Sequence, residues 1–207
     1  MNGTPEGYEP DELARDLNVS RETLSRLKLY VSLLNEWNSR QNLVSAASLG
    51  SVWRRHILDS GQLLRLVPAG AETLVDLGAG AGFPGLVLAI LSEGRLKVTL
   101  VEATLKKCRF LEEIAQRSAT DVKIEHARIE HLPRKPFDVV TARACAPLDR
   151  LLAYAQGFLG PDSVCLFLKG QNVGAELTAA HNLWRMQVRE HQSLSDPLGR
   201  ILEIKLP

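Results

Sequence analysis

The sequence has few cysteines, and they are poorly placed for cross-linking. Its 207 residues contain three, Cys108, Cys145 and Cys165, which are an odd number and lie far apart. There is no CxxC pair, and the five histidines show no spacing typical of metal ligands. These absences argue against a disulfide framework and against a metal site, and we expect the protein to have neither.

The sequence also lacks long apolar segments and a large net charge. No apolar run approaches membrane-spanning length, and residues 1–12, MNGTPEGYEPDE, lack the basic and apolar regions of a signal peptide. The formal net charge is only +1, so composition alone does not indicate a nucleic-acid partner. We therefore expect a cytoplasmic protein without membrane contact, and a chain of this length suits one domain.

The chain changes its hydrophobic pattern at about residue 70. Before that point, Ser20 is placed to cap a helix whose apolar residues recur at helical spacing as far as Trp37. A second amphipathic run spans about residues 47–67 and predicts another helix. Residues 1–70 are thus predicted to form an N-terminal helical extension packed on a core of residues 71–207.

After residue 70, predicted strands and helices alternate. The predicted strands are TLVDL (73–77), KVTLV (97–101), VKIEH (122–126), FDVVTA (137–142), SVCLFL (163–168) and a terminal pair within 183–206. Pro84 suits the first position of the helix after the first strand. The alternation predicts an α/β fold with a mostly parallel sheet of seven strands, covered on both faces. Ligands of such sheets bind at the carboxyl ends of the strands, near the point where strand order reverses.

The segment VDLGAGAGFPG, residues 75–85, closes the first predicted strand at that edge. It places Asp76 before four glycines, Gly78, Gly80, Gly82 and Gly85. A tight structural turn accounts for one or two glycines and leaves the others unexplained. Acid-x-Gly-x-Gly-x-Gly is the signature of S-adenosylmethionine methyltransferases. The acid favours the cationic end of the methyl donor, and the glycines admit the main chain close to it.

A dinucleotide is the alternative ligand for this turn. Residues 80–85 also match GxGxxG, and Glu102 ends the next strand, where a ribose-binding acid belongs. A nicotinamide-dependent oxidoreductase therefore stays open. However, a pyrophosphate favours a bare helix N-terminus, whereas S-adenosylmethionine brings no phosphate. We prefer the methyl donor, with Glu102 binding both ribose hydroxyls.

Several motifs in combination resemble one family, the bacterial methyltransferase G of small-subunit ribosomal RNA, also called glucose-inhibited division protein B. The motifs are NLV (42–44), RHILDS (55–60), DLGAGAGFPG (76–85), ARIE (127–130), TARA (141–144) and LKG (168–170). The family methylates N7 of a guanine in 16S rRNA. The resemblance implies a Rossmann-like class I fold, S-adenosylmethionine as cofactor, and 16S rRNA in the small ribosomal subunit or its assembly intermediate as partner. We expect a monomer.

The resemblance also implies site residues. Gly78, Phe83, Ile129, Glu130 and Arg143 correspond to cofactor-binding positions of the family, and the donor signature adds Gly80 and Glu102. Each assignment has a plain alternative. Phe83 suits a core aromatic, Glu130 a surface acid, and Arg143 either a substrate phosphate contact or a structural ion pair.

Two departures from related patterns bear on the chemistry. The fourth strand ends in TARACAP rather than the Asn-Pro-Pro-aromatic motif of enzymes that methylate exocyclic amines, which argues against such acceptors. Many relatives carry DS where this chain has Glu102-Ala103, so the carboxylate is kept on a longer side chain.

Guanine N7 carries a lone pair and no proton, so the reaction requires alignment rather than a general base, and no catalytic acid or base is assigned. His56 is a candidate, but its spacing from Asp59 equally suits a local ion pair. Candidates for phosphate contacts are Arg40, Arg54, Arg55, Lys106, Lys107 and Lys169. The small net charge leaves open a protein or small-molecule acceptor, and a nucleotide-sensing module without activity is a further alternative.

Overall fold

The N-terminal part of the molecule is helical. The computed structural model describes residues 7–207, so the first six residues of the segment used for the signal-peptide prediction lie outside it. The first helices are α1 (Pro10–Asp16), α2 (Arg21–Asn38) and α3 (Ala46–Leu49). Ser20 caps α2 as predicted, because its hydroxyl accepts the Thr23 N–H at 3.1 Å.

The single helix predicted over residues 47–67 is wrong. After α3 the chain forms a π-helical turn (Trp53–Leu58), then the short helix α4 (Asp59–Gly61) and a 3₁₀ turn (Gln62–Leu66). The carbonyl of Arg55, inside the π-helical turn, accepts a hydrogen bond from Nη1 of Arg143 at 3.0 Å. A tertiary contact thus reaches the main chain of the π-helical turn.

The remainder of the chain alternates between strands and helices. The strands are β1 (Thr73–Leu77), β2 (Lys97–Glu102), β3 (Val122–His126), β4 (Phe137–Arg143), β5 (Leu159–Lys169), β6 (Gln187–Gln192) and β7 (Arg200–Lys205). The helices are α5 (Gly85–Leu91), α6 (Leu105–Arg117), α7 (Leu148–Ala155) and α8 (Val173–His181), with 3₁₀ turns at Ile129–His131 and Gln156–Phe158. Two boundaries differ from the predictions. Pro84 is the residue before α5 rather than its first residue, and β5 begins at Leu159 rather than at 163.

The seven strands form one sheet in the order β3-β2-β1-β4-β5-β7-β6. The pairs among β1 to β5 are parallel, and β7 lies antiparallel to both β5 and β6. The predicted mostly parallel sheet and the predicted pairing of the last two strands are confirmed. Strand order reverses at β1, which has β2 on one side and β4 on the other, so the glycine turn lies at the switch point.

The apolar core is divided between the two faces of the sheet. One cluster joins Leu27 of α2 with Leu86 of α5 and Phe110 of α6. The other joins Leu151 of α7 with Phe167 of β5. The N-terminal helices thus share a core with the sheet, while a domain boundary at residue 70 stays a prediction. Within residues 7–207, no helix combines the length and apolar character needed to cross a bilayer.

Candidate functional site

The glycine turn after β1 has a left-handed main chain at three positions. The φ angles are +71° at Gly78, +59° at Gly80 and +96° at Gly82, a region that side-chain-bearing residues rarely adopt. A Cβ on Gly78 would lie 2.6 Å from Sγ of Cys145, and one on Gly82 would lie 2.5 Å from the Tyr30 hydroxyl. Only Gly80 faces space, because its nearest neighbour would be a main-chain oxygen at 3.8 Å. Protein packing therefore explains more of the glycines than the sequence suggested.

Glu102 ties the turn to the end of β2. One carboxylate oxygen accepts the Gly80 N–H at 2.9 Å, and the other accepts the Thr104 N–H at 2.7 Å. The residue is 6% exposed. Each oxygen keeps a free lone pair, since a carboxylate oxygen accepts two hydrogen bonds. The geometry places an oriented acid beside the open space at Gly80.

Asp76 has a structural position that differs from the predicted contact with a cationic ligand. It is fully buried, and its carboxylate accepts the Gly85 N–H at 2.9 Å and the Thr141 hydroxyl at 2.9 Å. Burial raises the pKa of Asp76 to about 6, against the lowering effect of these two hydrogen bonds. Asp76 therefore fixes the start of α5 against β1 and β4 rather than lining an open surface.

Phe83 lies inside an aromatic stack. Its ring centroid is 5.4 Å from that of Tyr30 and 4.7 Å from that of His56, both nearly parallel. The guanidinium carbon of Arg143 lies 4.8 Å from the same centroid. Phe83 is 3% exposed, so it is a core aromatic, which was the alternative to a cofactor contact. Its predicted cofactor contact stays a prediction.

Arg143, at the end of β4, is bound by the segment after α3. Nη1 donates to the Arg55 carbonyl and, at 3.3 Å, to Oδ2 of Asp59, while Nη2 donates to Nδ1 of His56 at 2.9 Å. The structural ion pair that was one alternative for Arg143 is therefore present, with Asp59 as the acid. Arg143 still borders two cavities, so its side chain is also placed to meet a ligand.

His56 is held as a neutral ring. Burial, followed by the charges of Arg143 and Arg55, lowers its pKa to about 3. Because the Arg143 guanidinium only donates, Nδ1 accepts and the proton sits on Nε2, which finds no hydrogen-bond partner among residues 7–207. The local ion pair suggested by the spacing of His56 and Asp59 is wrong, because each residue binds Arg143 instead. Nη1 of Arg143 donates to Asp59, and Nη2 donates to the neutral ring of His56.

Ile129 and Glu130 follow β3 in a 3₁₀ turn at the same edge of the sheet. Ile129 is half-buried, whereas Glu130 is exposed and accepts the Tyr154 hydroxyl at 2.9 Å. Main-chain and Tyr154 hydrogen bonds lower the pKa of Glu130. The fold thus brings the predicted positions after β1, β2, β3 and β4 to one carboxyl edge.

A cavity of ≈ 570 Å³ opens beside this edge at the ends of β4 and β5. Its wall includes Cys145, the neighbour of Gly78, and thereby adjoins the glycine turn. Lys169 also lines it, but its ammonium binds Oε2 of Glu176 at 2.7 Å and its side chain is only 8% exposed. Lys169 is therefore already paired with an acid, and its contact with a phosphate stays a prediction. A cavity of ≈ 700 Å³ lies on the other side of Arg143 and Asp59.

Several residues of this region were missed by sequence reasoning. Asp59, Gln62, Ser193 and Ser195 form a hydrogen-bonded group at the cavities. Gln62 and Ser193 are separated by 131 positions, so no local spacing could signal their contact. Among the predicted basic residues, Arg54 donates to the Ser195 carbonyl at 3.0 Å.

The order of the strands, with antiparallel β7 between β5 and β6 and a glycine turn after β1, defines a class I S-adenosylmethionine-dependent methyltransferase fold. Solved structures agree at the level of fold. A ribosomal protein L11 methylase from Lactobacillus delbrueckii aligns over 71% of this chain and 78% of its own, with 17% identity and a TM-score of 0.59. A SAM-dependent methyltransferase from Aquifex aeolicus aligns over 74% and 92%, with 14% identity and the same TM-score of 0.59.

Comparison with sequence relatives identifies the family within this class of methyltransferases. A family profile described as rRNA small subunit methyltransferase G matches residues 23–200. The protein of that name from Rhodospirillum rubrum is 51% identical over 94% of this chain and 96% of its own. The one from Paramagnetospirillum magneticum is 48% identical over 95% of both. The chain belongs to the rRNA small subunit methyltransferase G family.

Proposed function

We propose that this protein is an S-adenosylmethionine-dependent methyltransferase that methylates N7 of a guanine in 16S rRNA of the small ribosomal subunit. The observation that carries the proposal is the family match over residues 23–200, which includes the glycine turn, Glu102 and Arg143. Nothing in the site or the comparisons favours the nicotinamide alternative or a protein or small-molecule acceptor.

The residues at the carboxyl edge fit the methyl donor. Gly80 leaves space beside an oriented carboxylate, and Glu102 keeps lone pairs for the two ribose hydroxyls. Gly78 and Phe83 would contact the methionine side, and Ile129 with Glu130 would hold the adenine. Arg143 would face the donor carboxylate while remaining tied to Asp59.

The donor, when bound, supplies a methyl group activated on a sulfonium. The protein then has to align the guanine N7 lone pair with that carbon and exclude water, which is catalysis by proximity and orientation. His56 is neutral near pH 7 and its Nδ1 is engaged by Arg143, and Lys169 is engaged by Glu176. This arrangement agrees with a transfer that needs no protein acid or base.

The acceptor is proposed to be structured RNA with an accessible base. N7 lies in the deep, narrow major groove of A-form RNA, so the target guanine has to be unpaired or turned out. A cavity of ≈ 570 Å³ adjoining Cys145 and Arg143 has the size of a small-molecule site and suits one base. We propose that the protein acts as a monomer, in the cytoplasm where small subunits are assembled.

The test is methyl transfer to small subunits from a strain that lacks this gene. Labelled S-adenosylmethionine should place label in 16S rRNA, and nuclease digestion should recover it as 7-methylguanosine. Subunits from the parent strain, already modified, should accept none. Label in ribosomal protein, or in a different nucleoside, would refute the proposal. A parallel titration with NADH should show no binding.

A further inference from the structure

The loop between β6 and β7, residues 193–199, stands at the carboxyl edge beside the cavities. Arg200, the first residue of β7, pairs with Lys169, the last residue of β5, so the loop continues past the end of β5. Asp196 of the loop lines both the ≈ 570 Å³ and the ≈ 700 Å³ cavity. The loop therefore forms a wall of the space where an acceptor would enter.

The base of this loop is fixed by the N-terminal segment. Gln62, which is fully buried, accepts the Leu194 N–H at 2.7 Å and donates to Oγ of Ser193 at 3.1 Å. Oγ of Ser195 donates to Asp59 at 2.5 Å. Such anchoring holds the loop in one conformation before any partner binds, which reduces the ordering cost of binding.

The tip of the same loop is apolar and exposed. Leu198 is 59% exposed and lies between Pro197, which lines the ≈ 700 Å³ cavity, and Gly199, which lines the ≈ 570 Å³ cavity. Within residues 7–207 only three other large apolar side chains are comparably exposed, Leu105, Leu183 and Leu194. An apolar side chain held in solvent between two cavities is placed to contact a partner that enters either one.

The charges around the tip favour RNA as the partner. Arg54 and Arg55 are exposed and line the adjoining cavity, and Arg54 is bonded to the loop through the Ser195 carbonyl. Arginine beside an apolar tip suits phosphates flanking a base step. When a base is turned out, proteins fill the stack beside it with apolar residues, Leu and Pro among them.

We propose that Leu198 is an apolar wedge that contacts RNA bases next to the target guanine and keeps that guanine in the cavity. This inference rests on the proposed function and adds the element that presents the base. Leu198 is a positioning residue for the acceptor, and it has no role in holding the methyl donor.

Initial rates of methyl transfer to unmodified small subunits test the wedge. Leu198→Ala should lower kcat/KM about 50-fold, because truncation removes the three carbon groups that the RNA would bury. Leu198→Asp should lower it further, and Leu198→Met should retain most of it. The Kd for S-adenosylmethionine should be unchanged in all three variants.

Leu183→Ala is the matched control. Leu183 is 71% exposed and follows α8, which leads away from the end of β5, so its truncation should leave kcat/KM unchanged. If the Leu198 variants behave like this control while the wild-type protein methylates subunits, the wedge is refuted and the proposed function stands. If the wild-type protein transfers no methyl group to subunits, the proposed function fails and the wedge fails with it.

Binding to protein-free 16S rRNA distinguishes RNA from a ribosomal protein as the partner. In the presence of the demethylated donor, Leu198→Ala should weaken binding to the free RNA as well as to subunits. Weakened binding to subunits alone would identify a ribosomal protein as the contact and overturn the RNA assignment.

Discussion

The glycine turn and the surroundings of Arg143 are built differently. In the glycine turn, main-chain groups and short-range contacts dominate: Gly80 donates to Glu102, and Gly85 donates to Asp76. These contacts lie within the first two strands and the turn between β1 and α5. A local sequence motif is sufficient to specify them.

Around Arg143, long side chains from distant segments converge. Arg143 meets His56 and Asp59 across 84 to 87 positions, and Asp59 meets Ser195 across 136. Their partners are set only when the whole sheet has formed. The comparison teaches that the contacts of the glycine turn can be specified locally, whereas the contacts of Arg143 depend on the tertiary fold. Four experiments probe this contrast.

Gly78→Val should have the largest effect, because it acts on the glycine turn. Valine is strained at a φ of +71°, and its Cβ would lie 2.6 Å from Sγ of Cys145. Binding of S-adenosylmethionine, measured by calorimetric titration, should be lost. Gly70→Val is the control, since a Cβ there meets no atom within 4 Å, and it should bind normally. A folded Gly78→Val protein with unchanged affinity would contradict this description of the glycine turn.

Acid should destabilise the surroundings of Arg143 through His56. Its folded-state pKa of about 3 lies below the ordinary value of 6.5, so its contribution to stability is full above pH 6.5 and is lost as pH falls toward 3. Because pH 4.5 lies two units below the ordinary pKa of 6.5, the free energy of unfolding should be lower there by about 3 kcal/mol. Urea unfolding of wild type and His56→Gln at pH 7 and pH 4.5 should show a smaller acid effect in the variant. If both proteins lost the same unfolding free energy between pH 7 and pH 4.5, His56 would not be held neutral in the folded protein.

Arg143→Ala should impair methylation while the fold is kept. It removes charge-assisted hydrogen bonds, and kcat/KM should fall about 30-fold. Arg143→Lys should recover only part, because an ammonium lacks the fork that spans Arg55, His56 and Asp59. Arg189→Ala, which breaks an exposed ion pair with Glu203 on β6 and β7, is the control and should have no effect. Unchanged kinetics would leave Arg143 as a structural residue only.

Asp76 should show the opposite pH response, of smaller size. Its folded-state pKa of about 6 lies above the ordinary 3.8, so its contribution is full below pH 3.8 and is lost as pH rises through 6. When the pH is lowered from 7 to 5, Asp76 should raise the free energy of unfolding by about 1.4 kcal/mol, which corresponds to the one unit between pH 5 and its pKa of about 6. Asp76→Asn, whose side-chain oxygen still accepts the Gly85 N–H, should lose this gain in the same unfolding experiment. A variant with the wild-type pH profile would show that Asp76 is ionised throughout.

The contrast also explains which predictions succeeded. The seven strands and their sheet were predicted because each strand is a short apolar or alternating run bounded by turn residues. The glycine turn was found because its residues are adjacent in sequence. The class of protein followed from the same local motifs.

The failures lie where distant groups determine local geometry. The predicted helix over 47–67 is divided into four short elements, and its contact with Arg143 through the Arg55 carbonyl is not indicated by any local pattern. The ion pair of Lys169 was not predicted either, because α8 brings Glu176 onto its ammonium from seven positions away. The loop at 193–199 carried no motif at all, since its anchors are Gln62 and Asp59 in another part of the chain.

The hydroxyl of Tyr30, in α2, donates to the Ala81 carbonyl of the glycine turn, 51 positions later in the chain. During synthesis α2 therefore emerges well before the main chain that completes it. At about 5–20 residues per second, its apolar face waits roughly 3–10 s for that partner. A pause in translation near residue 80 would lengthen this interval.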